Sequence, residues 1–586
     1  MKKIATLCLS LISLFICYEA TACTNFIITK GASQDGSCMV SYAADSHTLY
    51  GELYYRPESK NPTNKMLDVI EWDSGKFLGK IPEAEHTYSV VGNMNEHQLT
   101  IAETTYGGLS QLWKPNGIID YGSLIYITLQ RAKNAREAIA TISYLLNTYG
   151  YCSEGESFSI VDPDEAWIME LIGKGEPITD GKGNTLEGWT KGAVWVARRI
   201  PDGYICGHAN QARITTFPLA DGKKSITNKQ IDKINNPAIE TVYSWDVISF
   251  AKLAGLYDNK AKDADFSFCD VYAPLDFSGA RGCESRVWCA FYRCNPELMR
   301  PYEKYARGED LNSKTKMPLW IKPDHLLSVQ EVMELMRDHF EGTSMDMTKD
   351  IGAGPYACPY RWRPMNWEFS GKKYIHERAT ATQQTGFSFV AQMRGWLPDK
   401  IGGVLWFGVD DAASCCYMPI FCGITRIPME LQEGNGSIVD YSPTAAYWKF
   451  TKVSNFAYSR YKDMIVPIKA KQHELESRAV EEVDRLSNEL KANFAGEDRE
   501  IADALGRMNE YCSRNVSTVC HEWEHLFEYL LVKFNDGNIK KEENGQFLKT
   551  KAEKPQAEFP DQPEYPDFWY KIIVDDCGSN IADPTK

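Results

Sequence analysis

Residues 20–46 read ATACTNFIITKGASQDGSCMVSYAADS and contain a cysteine at the start of a β-rich segment. After Cys23, the run 24–29 predicts a strand, and the Asp-Gly pair at 35–36 predicts a turn into a second strand over 37–42. Cys23 is therefore expected at the first position of a strand, with the partner strand of a hairpin running back beside it.

The residues before Cys23 have the pattern of a secretory signal peptide. Lys2 and Lys3 form a positive start, residues 4–17 are mostly apolar, and Ala20-Thr21-Ala22 supplies a small-residue cleavage site. We expect cleavage before Cys23 and export to the periplasm or the medium. No later stretch approaches the roughly 20 apolar residues that a membrane-spanning helix needs.

Composition indicates a globular protein without a nucleic-acid partner. The 586 residues are 43% hydrophobic and 24% charged, and the formal net charge is −15. A strongly acidic chain without a basic patch is a poor ligand for phosphates. Of the 17 cysteines, Cys8 and Cys17 precede the predicted cleavage site, and 14 besides Cys23 remain to pair in an oxidising compartment. Cys415, Cys416 and Cys422 predict a local disulfide cluster, with buried free thiols as the alternative.

Strand-like and helix-like blocks alternate too irregularly for a repeated βαβ pattern, which favours an α+β fold. Apolar spacing predicts a helix over 123–146, and Ser328 followed by Glu331 predicts a capped helix over 328–339. A long charged helix with one apolar face is predicted around 475–490. The predicted organisation is a signal peptide over 1–22, a catalytic domain over 23–460, a helical extension over 461–548 and a proline-rich charged tail over 549–586.

A thiol at a free amino terminus carries its own base. An α-amine with a pKa of about 7.7–8.0 is partly unprotonated at neutral pH and can take the proton of the thiol. Cys23 is therefore a candidate nucleophile for cleaving amide bonds. One alternative is a disulfide partner, and another is a non-enzymatic lipoprotein lipidated at Cys23, although Ala20 stands where such signals more often have leucine.

An ordered set of short motifs extends from Cys23 to about residue 493. It resembles the dipeptidases of the N-terminal nucleophile (Ntn) hydrolases, cysteine peptidases related to choloylglycine hydrolases and penicillin V acylases. The motifs are Cys23-Thr24, Asp35-Gly36-Ser37, Asp45-Ser46, Gly92-Asn93-Met94-Asn95-Glu96, Glu103-Thr104-Thr105, Asp162-Pro163-Asp164-Glu165-Ala166-Trp167, Glu170, Asn210-Gln211, Met336-Arg337-Asp338-His339, Glu341-Gly342-Thr343 and residues 443–448.

This resemblance implies a four-layer αββα sandwich, the Ntn-hydrolase fold, with additional C-terminal helices. It implies a dipeptidase that acts on small peptides through an acyl-enzyme, without a metal or a cofactor. An amidase acting on bile-salt or penicillin-type amides would share this chemistry. Whether the protein forms a homo-oligomer is left open by the resemblance.

The resemblance also assigns roles to individual residues. Cys23 is the implied nucleophile and, through its amine, the general base, and Asp45 orients that amine. The side chain of Asn210 and the backbone N–H of Thr105 are implied to bind the oxyanion. Arg286 is the candidate for a late arginine that faces the site, with a surface or structural arginine as the alternative.

Two further points concern charge near the thiol. Relatives commonly have arginine where this chain has Tyr42, so either another cation, with Arg286 and Arg281 as the candidates, takes its place or the enzyme relies on the amine of Cys23 alone. A dipeptidase also needs a carboxylate for the substrate's amino group, and Glu103 and Glu170 are the candidates.

The segment His521-Glu522-Trp523-Glu524-His525 matches the H-E-x-x-H pattern of zinc peptidases. A zinc site there would need a third ligand, for which Glu542 or Glu543 is available. The alternative, which the apolar positions around Trp523 favour, is a helix that packs on the core.

Overall fold

The computed structural model describes residues 23–311, 316–360 and 365–585. The predicted signal peptide over 1–22 lies outside the described residues. The chain folds into an α+β structure with two large β-sheets, named sheet I and sheet II below.

Sheet I carries Cys23 and is antiparallel throughout. The predicted strands after Cys23 are confirmed as Asn25–Ile28 and Cys38–Asp45, which pair at the centre of the sheet. The second strand extends beyond its predicted end, to Asp45. The spatial order of the seven strands is Trp320–Ile321, Ile205–His208, Asn25–Ile28, Cys38–Asp45, Thr385–Met393, Gly403–Val409 and Met418–Phe421.

Sheet II packs against sheet I through alternate residues of its strands. Ala102, Val161 and Ile168 share a core with Phe26 and Val40 of sheet I. The spatial order of its nine strands is Ser225–Thr227, Thr241–Tyr243, Ala193–Arg199, Ala166–Gly173, Gly155–Val161, Thr100–Gly107, Met94–Asn95, Val90–Val91 and Tyr55–Arg56. The central strand Ala166–Gly173 is buried along its whole length and is almost continuously apolar.

Helices cover the outer face of sheet II. The single helix predicted over 123–146 is wrong, because the structure has two helices, Tyr121–Leu129 and Ala135–Tyr149. The side chain of Asn134 accepts a hydrogen bond from the backbone N–H of Glu137 and so starts the second helix. Apolar spacing did not reveal this break, since both helices bury their apolar faces in one cluster.

Helices also cover the outer face of sheet I. The predicted capping box of Ser328 and Glu331 is confirmed at the start of helix Val329–Met336. The predicted charged helix is longer than its apolar face indicated, spanning Tyr461–Leu490. The helices in contact with sheet I are Val329–Met336, Ala446–Tyr458, Tyr461–Leu490 and Asp498–Lys533.

The remaining elements are short. Within the segment predicted as a proline-rich tail, the structure forms the helix Asp567–Cys577. Other short helices are Val247–Leu253, Phe268–Tyr272, Ser285–Cys294, Pro296–Met299 and Glu303–Ala306. Four separate two-stranded sheets pair Ser59–Lys60 with His86–Thr87, Met66–Ile70 with Phe77–Pro82, Asn366–Phe369 with Lys372–Ile375, and Glu542–Glu543 with Gln546–Phe547. Within the described ranges, no helix combines the length and apolar character needed to cross a membrane.

The predicted disulfide cluster is wrong. All 15 cysteines from Cys23 onward are free thiols in the described part of the chain. Cys415, Cys416 and Cys422 are buried, and the Cys422 Sγ lies 3.2 Å from the carbonyl oxygen of Asp399. These cysteines pack as small apolar side chains of the core.

A buried histidine joins the two sheets. His208 of sheet I lies between Thr104 and Ser159 of sheet II, with its Nδ1 2.8 Å from the Thr104 Oγ1 and its Nε2 2.7 Å from the Ser159 Oγ. Burial, and secondarily Arg213, lower the pKa of His208 to about 3. The imidazole is therefore neutral across the physiological range and serves as a structural link.

This link predicts a pH-dependent loss of stability. Below a pH of about 6.5 the unfolded state protonates this histidine and the folded state does not, so each pH unit down to the folded pKa costs up to about 1.4 kcal/mol. We expect the wild-type Tm to fall more steeply between pH 6.5 and 4 than the Tm of His208→Gln, whose amide can still donate and accept. Parallel Tm profiles would contradict this assignment.

Candidate active site

Cys23 lies where the two sheets meet. Its neighbour Thr24 forms a two-way backbone bridge with Ala43 of the next strand, which fixes the start of the first strand. The Cys23 Sγ lies 3.4 Å from the Glu103 Oε1, on sheet II, and 3.6 Å from the Tyr42 Oη. The residue is only 4% exposed. A buried thiol at the end of a strand is thus in contact with a phenol and a carboxyl group.

The surroundings of the thiol keep it protonated. Burial raises the pKa of Cys23 well above its usual value, and the nearby carboxyl groups of Glu103 and Asp45 raise it further. The Tyr42 hydroxyl and a backbone hydrogen bond from Asp45 act in the opposite direction with smaller effect. The thiol therefore needs a base before it can act as a nucleophile.

Tyr42 occupies the position at which relatives commonly have arginine. Its hydroxyl donates to the Glu103 Oε1 at 2.7 Å, and its ring packs against Phe387 and Phe389. Burial raises the pKa of Tyr42 well above its usual value, so the phenol is neutral. Tyr42 therefore provides Glu103 with a neutral hydrogen-bond donor and places no positive charge beside the thiol.

Asp45 is held by a cation that the sequence did not reveal. Its carboxylate accepts from the Arg378 Nη2 and from the Thr385 Oγ1, each at 2.5 Å. Arg281, one of the two candidate cations, instead pairs with Glu377. Arg378 stands outside the recognised motifs, and 333 residues separate it from Asp45, so no local pattern pointed to it.

Arg286 faces the site, as the resemblance implied, and connects two of the predicted residues. Its Nη1 donates to the carbonyl oxygen of Cys23 and to the Thr24 Oγ1, both at 2.7 Å. Its Nη2 donates to the Asn210 Oδ1 at 2.8 Å. Burial and the nearby Arg378 lower the pKa of Arg286 to about 10, which leaves it charged at neutral pH. The guanidinium thus fixes Cys23 and Asn210 relative to each other.

Asn210 and Thr105 are also in contact. Asn210 follows strand Ile205–His208 in a left-handed conformation, with φ of +54°, and its Nδ2 donates to the Thr105 carbonyl oxygen at 2.6 Å. Because Arg286 occupies the Asn210 Oδ1, the amide nitrogen is directed toward Thr105. The structure therefore brings Cys23, Arg286, Asn210 and Thr105 together in one connected network.

Of the two candidate carboxylates for a substrate amino group, only Glu103 contacts the thiol. Both oxygens of Glu170 accept backbone N–H groups, from Arg213 at 2.6 Å and from Ile214 at 2.9 Å. Glu170 is fully buried and fixes the loop that follows Asn210. Glu170 is therefore engaged with the backbone of this loop, and a role toward substrate stays a prediction.

The H-E-x-x-H segment lies on the long helix Asp498–Lys533. Trp523 is buried and stacks on Phe450, while the Nε2 atoms of His521 and His525 are 2.9 Å apart on the exposed side. The candidate third ligand Glu542 accepts from the Tyr529 hydroxyl at 2.9 Å. Within residues 23–311, 316–360 and 365–585, no group of three or more histidine, cysteine or acidic side chains is placed to hold a metal ion.

Comparison with known proteins places these residues in a family. The sequence pattern of Peptidase family C69 matches residues 22–474, which include Cys23, Asp45, Asn210 and Arg286. Relatives at low identity share most of this length. "Probable dipeptidase B" of Streptococcus pyogenes serotype M1 is 20% identical over 83% of this chain and 89% of its own. "Probable dipeptidase" of Latilactobacillus sakei is 22% identical over 69% and 74%, and that of Salmonella dublin is 22% identical over 69% and 82%. The family pattern spans well over half of the sequence, and this chain therefore belongs to peptidase family C69.

Proposed function

We propose that this protein is an exported dipeptidase that hydrolyses the peptide bonds of small peptides through the thiol of an amino-terminal Cys23. The observation that carries the proposal is the network in which Arg286 binds both the Cys23 carbonyl oxygen and the Asn210 side chain. The names of the relatives support a dipeptide substrate. The family match begins at residue 22, which is consistent with a functional chain that starts at Cys23.

We interpret the two packed sheets and their outer helices as the four-layer αββα sandwich of the Ntn hydrolases. The catalytic domain would cover residues 23–460, with helices Tyr461–Leu490 and Asp498–Lys533 in the extension. In such an arrangement the first strand presents its amino terminus at the edge of the sandwich. Cys23 occupies that position in sheet I.

Removal of residues 1–22 must precede catalysis, because it converts the nitrogen of Cys23 from an amide into an amine. The free amine takes the proton of the thiol, and the Sγ attacks the substrate carbonyl carbon. An amine is required as base because burial and the adjacent carboxyl groups raise the pKa of the thiol. A chain that retains residues before Cys23 is accordingly an inactive precursor.

The oxyanion that forms would be bound by the Asn210 amide and the Thr105 backbone N–H. Arg286 holds the Asn210 Oδ1 and thereby orients the amide nitrogen. The ammonium of Cys23 then protonates the leaving nitrogen, which releases the first product and leaves a thioester on Sγ. Water hydrolyses the thioester with the amine again acting as base.

A substrate comparison tests this proposal. The mature protein should hydrolyse dipeptides with a kcat/KM at least about 100-fold higher than for a glycine-conjugated bile salt or penicillin V, and a chelator should leave the rate unchanged. A reversed substrate order would favour the related amidase activity. Loss of hydrolysis on chelation, restored by zinc, would favour a peptidase built on His521 and His525 instead.

A further inference from the structure

Two neighbouring strands of sheet II place a pair of glutamates beside the nucleophile. Glu103 lies on Thr100–Gly107 and Glu156 on Gly155–Val161, and Thr105 is directly opposite Glu156. Residues two apart on a strand share a face, so Glu103 and Glu156 are diagonal neighbours on one face. The two residues are 3% and 1% exposed.

In each carboxyl group, one oxygen is in contact with side chains other than the neighbouring glutamate. The Glu103 Oε1 accepts from Tyr42 and contacts the Cys23 thiol, and the Glu156 Oε1 accepts from the Thr105 Oγ1 at 2.8 Å. Within the described ranges, no donor from any other residue reaches either Oε2 atom, and the two carboxyl groups hydrogen-bond to each other. Among the ion pairs of the same residues, none involves Glu103 or Glu156. Such groups are costly to bury unless a ligand satisfies them.

The two carboxyl groups also influence each other. Burial raises the pKa of Glu103, and burial together with the neighbouring Glu103 raises the pKa of Glu156 well above its usual value. Neighbouring buried carboxyl groups of this kind share one proton and retain about one negative charge between them. The two carboxyl groups, of which Glu103 contacts the thiol, therefore form one hydrogen-bonded unit that can carry a single negative charge.

This anion lies at the right distance for the amino group of a dipeptide. In a peptide with a free amino terminus, the ammonium nitrogen is about 2.5 Å from the carbonyl carbon of the same residue. A nucleophile approaches that carbon to about 3–3.5 Å before reaction. The substrate's ammonium nitrogen consequently lies within about 6 Å of the Cys23 Sγ. The Glu103 Oε1 is 3.4 Å from the same sulfur.

We propose, on the basis of the proposed function, that Glu103 and Glu156 together bind the α-ammonium group of the substrate and restrict the enzyme to peptides with a free amino terminus. The ammonium donates to oxygens of both carboxyl groups and neutralises the single negative charge of the pair. An N-acylated amide offers no such group and leaves the buried anion uncompensated. The preference for peptides with a free amino terminus thus arises from the negative charge of the two glutamates in sheet II.

The test compares one dipeptide with its N-acetyl derivative, using the mature wild-type enzyme and Glu103→Gln, Glu156→Gln and Glu154→Gln. We expect the wild type to prefer the free dipeptide at least about 100-fold in kcat/KM. Glu103→Gln and Glu156→Gln should each lower the preference for the free dipeptide, the ratio of the two kcat/KM values, by about 100-fold. Glu154→Gln, which removes a carboxylate near the pair but away from the thiol, should retain the preference.

Two results would overturn the assignment. If Glu103→Gln lowers both rates equally, Glu103 acts on the nucleophile or its amine and not on the substrate, and the rate of Cys23 alkylation should fall with it. If the wild type hydrolyses both substrates equally, the pair does not select the amino terminus. A wild type that hydrolyses neither peptide would instead overturn the proposed function on which this assignment rests.

Discussion

Replacement of Cys23 by alanine is expected to lower kcat/KM for dipeptide hydrolysis by about 10⁴-fold or more, since losses of this size follow removal of a covalent nucleophile. The Sγ is the atom that would form the acyl-enzyme, and the groups in contact with it are a neutral phenol and a carboxyl group. Steady-state kinetics on the mature protein measure the loss, and its circular dichroism spectrum shows whether the fold is retained.

Cys38→Ala is the matched control for this substitution. Cys38 is another buried free thiol of sheet I, and burial raises its pKa to about 12. It begins the strand that pairs with the first strand, and its Sγ lies 3.7 Å from the Pro163 carbonyl oxygen. Activity within about twofold of wild type is expected for this variant. Full activity of Cys23→Ala would show that hydrolysis uses another nucleophile.

Retention of a single residue before Cys23 should be nearly as damaging as loss of the thiol. A mature chain that begins with Ala22 has an amide nitrogen at Cys23, which cannot accept the thiol proton. A positioned general base contributes about 10² to 10⁴-fold to rate, and we expect kcat/KM to fall by that factor. Burial raises the pKa of the Cys23 thiol. The thiol therefore does not ionise by itself to a degree that would make up for the missing base.

The pH dependence of the two chains should differ in a defined direction. The active form of the amine is unprotonated, so kcat/KM of the chain beginning at Cys23 should rise with pH through the amine pKa of about 7.7–8.0. The chain that begins at Ala22 should lack this rise, and proteolytic removal of Ala22 should restore it. An extended chain with the activity and pH profile of the mature chain would exclude the amine as base.

The parts of the structure that were predictable from sequence depend on local signals. The hairpin that follows Cys23 is encoded by β-rich segments around an Asp-Gly turn, and the capping box of Ser328 and Glu331 requires only residues three apart. Arg286 and Asn210 were identified through resemblance to a family, and the structure brings both to Cys23. Their catalytic roles stay predictions.

The parts that were missed depend on contacts between distant segments. Arg378 reaches Asp45 only because strand Thr385–Met393 pairs with strand Cys38–Asp45, and Glu156 reaches the site only through its pairing in sheet II. Glu170 has a suitable residue type, but the backbone N–H groups that it binds are brought to it only by the tertiary fold. The free cysteines were misread because the predicted oxidising compartment favours disulfides without requiring them.

The central claim is that Cys23 acts as both thiol and amine at the start of the functional chain. The intact mass and amino-terminal sequence of the protein purified after expression of the full-length chain provide its test. The predicted result is a chain beginning Cys23-Thr24-Asn25 that carries no modification on its first residue. A chain that begins elsewhere, or a Cys23 that carries lipid or forms a disulfide, would lack the nucleophile and base together and would contradict the mechanism.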